Sequence, residues 1–553
     1  MTGREEGLLQ KSRPVGTIMA MLLVLTMIGI FIYLMVRTIL FFTAPYLWQE
    51  KIVALLLLCG EGFLLLHSFG YFLNTYHVLT KPAAKGALPV GTPPRLTEFP
   101  PVAIIVSSYK EPLTVIEDTL ICFYNLTYPN KNLYFLDDTR YDVQWDTPER
   151  METYKKEVDA LCERIGVNLF RRRWRGAKAG MINDFLRFID GEQVEGFEFT
   201  PFSTHPRNEQ EKYIIVFDAD MNPFPDFVET LVAAMEESPR LAFVQTPQYY
   251  SNFESNRVAR ASGLQQAVFY EYICEGKSQK DAMFCCGTNV IFRREALMDV
   301  GGFDESSVTE DFATSLKFHI HQWSSAYLNK VSAFGMGPED LGGYFKQQFR
   351  WALGTVGIFR TLIGEFAKGP GRISAAKWWE YFLSGTHYFV GWVFLTLVLC
   401  PVLYLFFGMP SFFAHPEIYV MVFLPYFVLS MTMFASTLMQ RRYRIKDLLQ
   451  GVLLTAITFP VYIKASTLAM MGVRGSFGIT PKDGASALPF SALWPQLTLA
   501  ILCFSSVIWG LMRFYYERHP TDAILVNTFW SLYHFLILSS FLYFNHPAEK
   551  ETR

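Results

Sequence analysis

At 553 residues, with 51% hydrophobic and 18% charged content and a mean hydropathy of +0.19, the chain is too apolar for an ordinary soluble protein and too charged to be membrane throughout. Charged residues gather between about 81 and 377 and thin out toward both ends, so a water-soluble domain is expected between two membrane blocks. A net charge of −2 argues little about partners.

Residues 16–42 and 52–73 are apolar runs of the length, roughly 20 residues, that a bilayer core requires of a helix. Arg4, Lys11 and Arg13 precede the first, Lys81 and Lys85 follow the second, and the loop 44–48 has no Lys or Arg, which predicts a cytoplasmic amino terminus. The first run lacks a small-residue cleavage pattern and is expected to stay as an anchor. Glu61 falls mid-span, where an ionisable group costs roughly 2.5 to 3.5 kcal/mol to insert. It is expected to face a hydrated channel, or else to pair with a basic neighbour such as Arg37. Residues 1–80 form the first membrane block, and the Pro/Gly-rich stretch 81–100 is the linker that follows.

Between 101 and 370, apolar strands (102–107, 133–136, 167–170, 214–217, 241–245) alternate with amphipathic helices (113–124, 150–165, 178–189, 226–237). This alternation predicts an open α/β sheet whose ligands bind beyond the carboxyl ends of its strands. The polar stretch 191–212 is expected to be a surface insertion. Tyr109 and Glu111 close the first strand, and Asp137-Asp138 ends the second, in place to accept hydrogen bonds from a nucleotide base or ribose; a turn with helix capping would explain the pair equally well. Asp218-Ala219-Asp220 follows a buried strand, so its two carboxylates can converge on one hard cation, Mg2+ or Mn2+, carrying a diphosphate.

Thr309-Glu310-Asp311 opens the apolar-periodic run 312–320 and should cap a helix there. A capping box accounts for Thr309, whereas Asp311 is a candidate general base toward an acceptor hydroxyl. Gln347, Arg350 and Trp351 share one helix face: Arg can pair with a diphosphate, Gln can hydrogen-bond sugar or phosphate, and Trp can stack on an acceptor ring. An interfacial Trp beside a snorkelling Arg is the plainer alternative. Gly276-Lys277-Ser278 lacks the leading Gly of a phosphate loop, Arg171 to Arg175 is expected to be lipid-facing or structural rather than nucleic-acid binding, and Asn125-Leu126-Thr127 should be unmodified in a cytosolic domain. The eight cysteines show no CxxC pair and no regular spacing, which fits free thiols.

Residues 371–553 form the second membrane block, with spans expected at 379–407, 418–438, 494–511 and 524–544. Arg441, Arg442, Arg444 and Lys446 mark a cytoplasmic end. The stretch 451–471 contains Pro460 and Lys464 and is read as an interfacial helix, because a crossing there would put the loop that follows it on the far side from the central domain.

The ordered set of Asp137-Asp138, Asp218-Ala219-Asp220, Thr309-Glu310-Asp311 and Gln347 to Trp351 resembles the processive family-2 glycosyltransferases, specifically bacterial cellulose synthase catalytic subunits and related β-glucan synthases. Lys178-Ala179-Gly180 with Asn183, Val244 to Pro247, Phe284 to Thr288 and Ala326 to Asn329 are similar to that family's accessory motifs, and Phe477-Gly478-Ile479-Thr480-Pro481-Lys482 to its gating loop, here placed at 473–486. The resemblance implies a polytopic membrane protein: an α/β GT-A (Rossmann-like) glycosyltransferase domain, cytosolic, inserted between transmembrane helices in the plasma (inner) membrane.

The resemblance further implies UDP binding by Tyr109, Glu111, Asp137, Asp138, Lys178, Asp218, Gln347 and Arg350, and a metal, Mg2+ or Mn2+, on Asp218 and Asp220. Catalysis falls to Asp311 with Glu310 and Thr309, acceptor binding to Trp351, Cys286 and Gly287, and gating to Phe477, Thr480 and Lys482. The implied reaction is inverting, processive transfer of glucose from UDP-glucose to the non-reducing end of a β-glucan, coupled to passage of the polymer through the bilayer. The implied partners are UDP-glucose, the nascent glucan and the lipid, with no nucleic acid, and with accessory envelope subunits or a homo-oligomer as further candidates. A UDP-N-acetylglucosamine-using chitin- or hyaluronan-type synthase, a non-processive lipid glycosyltransferase and an inactive domain on a transporter are the competing expectations. Departures from the family pattern are Thr139 where a Gly is common, Cys285 where an aromatic is common, and the expected absence of a cyclic-di-GMP-sensing PilZ domain after the last span.

Overall fold

The computed structural model describes residues 13–80, 96–192, 194–203, 210–412, 416–441, 443–473, 486–517 and 521–546. The linker 81–95 and the gating-loop residues Phe477, Thr480 and Lys482 lie outside the described residues.

The central domain is built on β1 (Val102–Ser108), β2 (Lys131–Asp137), β3 (Asn168–Arg171), β4 (Glu198–Thr200), β5 (Tyr213–Asp218), β7 (Leu241–Gln245), β9 (Val290–Arg293) and β10 (Ser324–Tyr327). They form one eight-stranded sheet in the order β10-β7-β9-β5-β1-β2-β3-β4. The runs of Val, Ile and Phe in β1, β2 and β5 suit strands covered on both faces. Ile104, Val106, Phe135 and Phe217 pack into the core on one face, while Ile105, Tyr134, Leu136 and Val216 pack into the core on the other. The sheet is mixed rather than all parallel: β9 enters antiparallel between β5 and β7, and β4 pairs antiparallel with β3 at the edge. A second, small sheet of β6 (Met221–Pro223), β11 (Ala333–Gly335) and β8 (Tyr249–Tyr250) stands beside it.

The stretch 191–212 is more than a surface insertion. It supplies β4, and Glu211 is 1% exposed, accepting hydrogen bonds from Tyr134 Oη at 2.7 Å and Asn132 Nδ2 at 3.2 Å. A carboxyl group buried in that position is tolerated because both donors reach its Oε1.

Among the described residues, six helical segments are long and apolar enough to cross a membrane: Thr17–Thr43, Trp48–Thr80, Ala375–Phe407, Val420–Gln440, Phe490–Tyr516 and Thr521–Phe544. The chain is a multi-pass membrane protein on this count. The stretch around 451–471 forms two helices, Ile445–Ile457 and Phe459–Met470, bent by 50° at their junction. Pro460 sits in the first turn of the second, where its missing N–H leaves no ladder bond unmade. The first helix packs on the domain helix Arg257–Val268, where a Cβ on Gly451 would lie 3.0 Å from Gln265 N. The second holds the helix Leu341–Lys368 through a hydrogen bond of 3.0 Å from Tyr462 Oη to Gln348 Oε1.

Two ionic clusters tie the membrane helices. Glu61 accepts from Arg37 Nε at 2.6 Å and from Tyr33 Oη at 2.9 Å, so the pairing alternative holds for it. Glu380, on the span Ala375–Phe407, pairs with Lys277 at 2.9 Å and with Lys280 at 2.6 Å, all three side chains at most 6% exposed. Lys280 also donates to Asn74 Oδ1 at 2.8 Å on the span Trp48–Thr80. The Gly276-Lys277-Ser278 triplet is therefore a domain-to-membrane clamp: a Cβ on Gly276 would sit 2.5 Å from Asn74, and Ser278 Oγ accepts from Tyr327 N at 2.9 Å. All eight cysteines are free thiols.

Candidate active site

The parallel strands β1, β2 and β5 end in register, Ser107 opposite Asp218 and Ser108 opposite Asp137, so their carboxyl ends form one rim. Beyond that rim lies a cavity of about 210 Å³. Asp218, Asp220, Glu310, Asp311, Gln347, Arg350 and Trp351 all line it, although they come from three segments spread between positions 218 and 351. Tyr109, Glu111, Asp138, Lys178, Cys286, Gly287 and Thr309 complete the expected residues that reach it.

Asp218 and Asp220 bracket a tight turn between β5 and β6. The turn is fixed by Thr119, whose Oγ1 donates to Ala219 O at 2.7 Å and to Asn222 Oδ1 at 2.9 Å. Asp218 N donates to Thr288 Oγ1 at 3.0 Å, and its carboxylate pairs with Lys178, which also donates to Gly287 O at 2.7 Å. The two carboxylates offer the hard oxygens that Mg2+ or Mn2+ prefers. No cluster of three or more His, Cys, Asp or Glu suited to a metal occurs among the described residues, so the fit is to an ion that completes its shell with phosphate and water.

Asp137 is placed differently from its neighbour. Its carboxylate faces away from the cavity, 3% exposed, accepting from Arg171 Nε at 2.7 Å and Tyr141 Oη at 2.9 Å. Asp138 lines the cavity and is paired with Arg172 at 3.1 Å. Burial pushes the Asp138 carboxyl up to about 7 despite the arginine. The run Arg171 to Arg175 is thus structural: Arg172 bridges Asp138 and Asp184, and Arg175 links Asp184 to Glu305 at 2.5 Å.

Asp311 lies in the first turn of the helix Glu310–Ile320, its Oδ1 accepting from Phe312 N at 2.8 Å. Burial first, and the adjacent Glu310 second, push its carboxyl up to about 7. Gly287 faces it with φ +85°, and a Cβ there would lie 3.0 Å from Asp311 Oδ2, so only a residue without a side chain fits this approach. Thr309 occupies the N-cap position but its side chain makes no capping bond, contrary to the capping-box expectation. It is turned instead toward the helix Leu341–Lys368, against Gly354.

That helix starts at Asp340, which caps Gly343 N at 2.7 Å, and carries Gln347, Arg350 and Trp351 along one face. Gln347 Oε1 is buried with no hydrogen-bond partner among the described residues, while the Gln347 side chain interacts with the Tyr250 hydroxyl. Part of the lining is passed over by sequence patterning: Tyr250, Gln248 and the loop Met336 to Glu339. A two-residue strand such as β8 and a loop without charge pattern emit no periodic signal, and only their pairing in space places them at the site.

Residues 103–301 match the family model described as glycosyl transferase family 2, and residues 213–438 match that described as glycosyl transferase family group 2. The chain is 29% identical over 461 residues to the UDP-forming cellulose synthase catalytic subunit of Pseudomonas fluorescens (strain SBW25), covering 80% of this chain and 56% of that protein. It is 27% identical over 507 residues to a putative cellulose synthase 2 of Komagataeibacter xylinus, covering 89% and 30%. The chain therefore spans about half, or less, of the length of these curated relatives. Among solved structures it is similar to a mannosyltransferase of Pyrobaculum calidifontis in complex with GDP-Man and Mn2+, at 16% identity and a TM-score of 0.49, with 76% of this chain and 99% of that one covered.

Proposed function

From a membrane chain that carries a family 2 glycosyltransferase domain and is homologous to bacterial cellulose synthase catalytic subunits, we propose processive, inverting transfer of glucose from UDP-glucose to the non-reducing end of a β-glucan, with the growing chain passed across the bilayer. The observation that carries this reading is the convergence of Asp218, Asp220, Asp311, Gln347, Arg350 and Trp351 on one cavity. Asp218 and Asp220 would hold a divalent cation, which would supply charge neutralisation for the diphosphate. Arg350 adds a second cation at the leaving group, and Gln347 Oε1 accepts from a sugar hydroxyl. Trp351 gives the acceptor ring a flat apolar face. Asp311 takes the proton from the acceptor hydroxyl as that oxygen bonds to the anomeric carbon, while the bond from that carbon to the UDP oxygen breaks. UDP leaves with the electron pair, and the single displacement inverts the centre. A carboxyl held near neutrality suits that exchange of one proton.

The Lys/Arg distribution supports a cytosolic catalytic domain in the plasma (inner) membrane. The test is to supply the purified, membrane-reconstituted chain with labelled UDP-glucose or UDP-N-acetylglucosamine and digest any polymer with linkage-specific glucanases. A long glucan from UDP-glucose is expected. Incorporation from UDP-N-acetylglucosamine alone, or only short lipid-bound products, rejects the proposal.

A further inference from the structure

Gly354 lies one turn beyond Arg350 on the helix Leu341–Lys368, on the face that presents Gln347, Arg350 and Trp351 to the cavity. A Cβ at this position would overlap Thr309 Cγ2 and sit 2.5 Å from Thr309 Oγ1 and 2.9 Å from Thr309 Cβ. Such distances are closer than side chains pack. The neighbour cannot yield cheaply, because a β-branched residue is stiff about χ1 and Thr309 is 9% exposed. Gly357 and Gly364 on the same helix meet nothing within 4 Å of a built Cβ, so the close approach is particular to Gly354.

Thr309 gives the complementary half of the observation. It stands at the N-cap of the helix that bears Asp311, yet its hydroxyl bonds none of the free helix N–H groups, and it fills the notch at Gly354 instead. We propose that Gly354 is a positioning residue for Asp311: the notch seats Thr309, and through it sets the depth of the Asp311 carboxylate relative to Arg350 and Trp351. Gly287 meets the carboxylate itself, its built Cβ lying 3.0 Å from Asp311 Oδ2, whereas Gly354 meets Thr309, two residues before Asp311 in the chain. The inference rests on the reading of Asp311 as the base.

The test uses the full chain in lipid nanodiscs and compares Gly354→Ala, Thr309→Ala, the double variant and Asp311→Asn by kcat and KM for UDP-glucose turnover, UDP affinity and Tm. Gly354→Ala is expected to lower kcat at least tenfold with KM and UDP affinity within threefold of the parent. Adding Thr309→Ala should recover at least threefold of that loss, so the two changes are not additive. A general loosening of the fold would move Tm and UDP affinity together with kcat and would not be relieved by a second truncation. A Gly354→Ala kcat within twofold of the parent, or additive losses, overturns the proposal. If Gly354→Ala does not fold, the double variant must restore folding, and failure to do so also overturns it. A kcat that survives Asp311→Asn sinks the base assignment itself, whereas loss in Asp311→Asn beside an indifferent Gly354→Ala sinks only the positioning.

Discussion

As the proposed base, Asp311 would meet two demands that pull against each other: it must be dry enough to bind a proton avidly, and ionised often enough to accept one. Burial and the neighbouring Glu310 bring its carboxyl to about 7, against an ordinary value near 4. The protonated form dominates below that value and cannot act as a base, so kcat/KM should climb with pH through neutrality and level off above it. Asp311→Asn should remove this limb and lower kcat by roughly 10² to 10⁴, the usual contribution of a general base, as measured in a pH series of UDP release. A cation at Asp218 and Asp220 favours the ionised form, so raising Mg2+ should shift the limb to lower pH. The residues legible in sequence are those whose chemistry is conspicuous out of context, such as the two carboxylates around Ala219 or an Arg beside a Trp. What stayed illegible depends on partners distant in the chain: Asp137 and Asp138 look equivalent, and only Arg171 and Tyr141 turn the first of them inward. Thr309 has the composition of a cap, and only Gly354, 45 positions on, shows why it does not act as one.

Element boundaries in the first half of the domain follow the hydrophobic period closely, with β1, β2, β3, β5 and β7 each expected within two residues of their observed limits. The later strands β9 and β10 are not among the expected ones: they are as short as β3 but lie beyond the regular strand–helix alternation that marks it. The direction of β9 is set by pairing with β5 and β7 on either side, which is a property of the sheet and not of the segment. The lysine-bearing helix Glu275–Gln279 is a similar case: the missing leading Gly rules out a phosphate loop in the sequence, but the pairing of Lys277 with Glu380 shows only in space. Removing one member of a buried ionic group leaves the remainder uncompensated, typically at a cost of about 3 to 5 kcal/mol. Glu380→Ala should therefore destabilise the detergent-solubilised chain by that order in chemical unfolding. Its effect should exceed that of Glu236→Ala, whose pair with Lys212 is well exposed.

The whole molecule joins a cavity of one domain to a bundle of six candidate spans, and the contact between them is made of side chains rather than linkers. Tyr462 grips the helix that carries Gln347, and Glu380 grips Lys277 and Lys280. In sealed vesicles with the catalytic face outward, polymer made from external UDP-glucose should accumulate in the lumen, resistant to added glucanase until detergent opens the membrane. Complete digestion without detergent would mean that synthesis and transport are separate. Composition and charge distribution announced the division into membrane and soluble parts, because twenty apolar residues in a row leave few alternatives. How the parts grip one another was hidden, since Asn74, Lys280 and Glu380 are each unremarkable where they stand in the chain.

The clamp around Glu380 limits how the enzyme can be taken apart. Severing the chain near Gly369 would strand two interior ammonium groups without their counter-ion and bare the flank of the helix Leu341–Lys368 that Tyr462 covers. The catalytic half is consequently not a detachable cartridge: a graft into another membrane protein would have to import the spans Trp48–Thr80 and Ala375–Phe407 along with it.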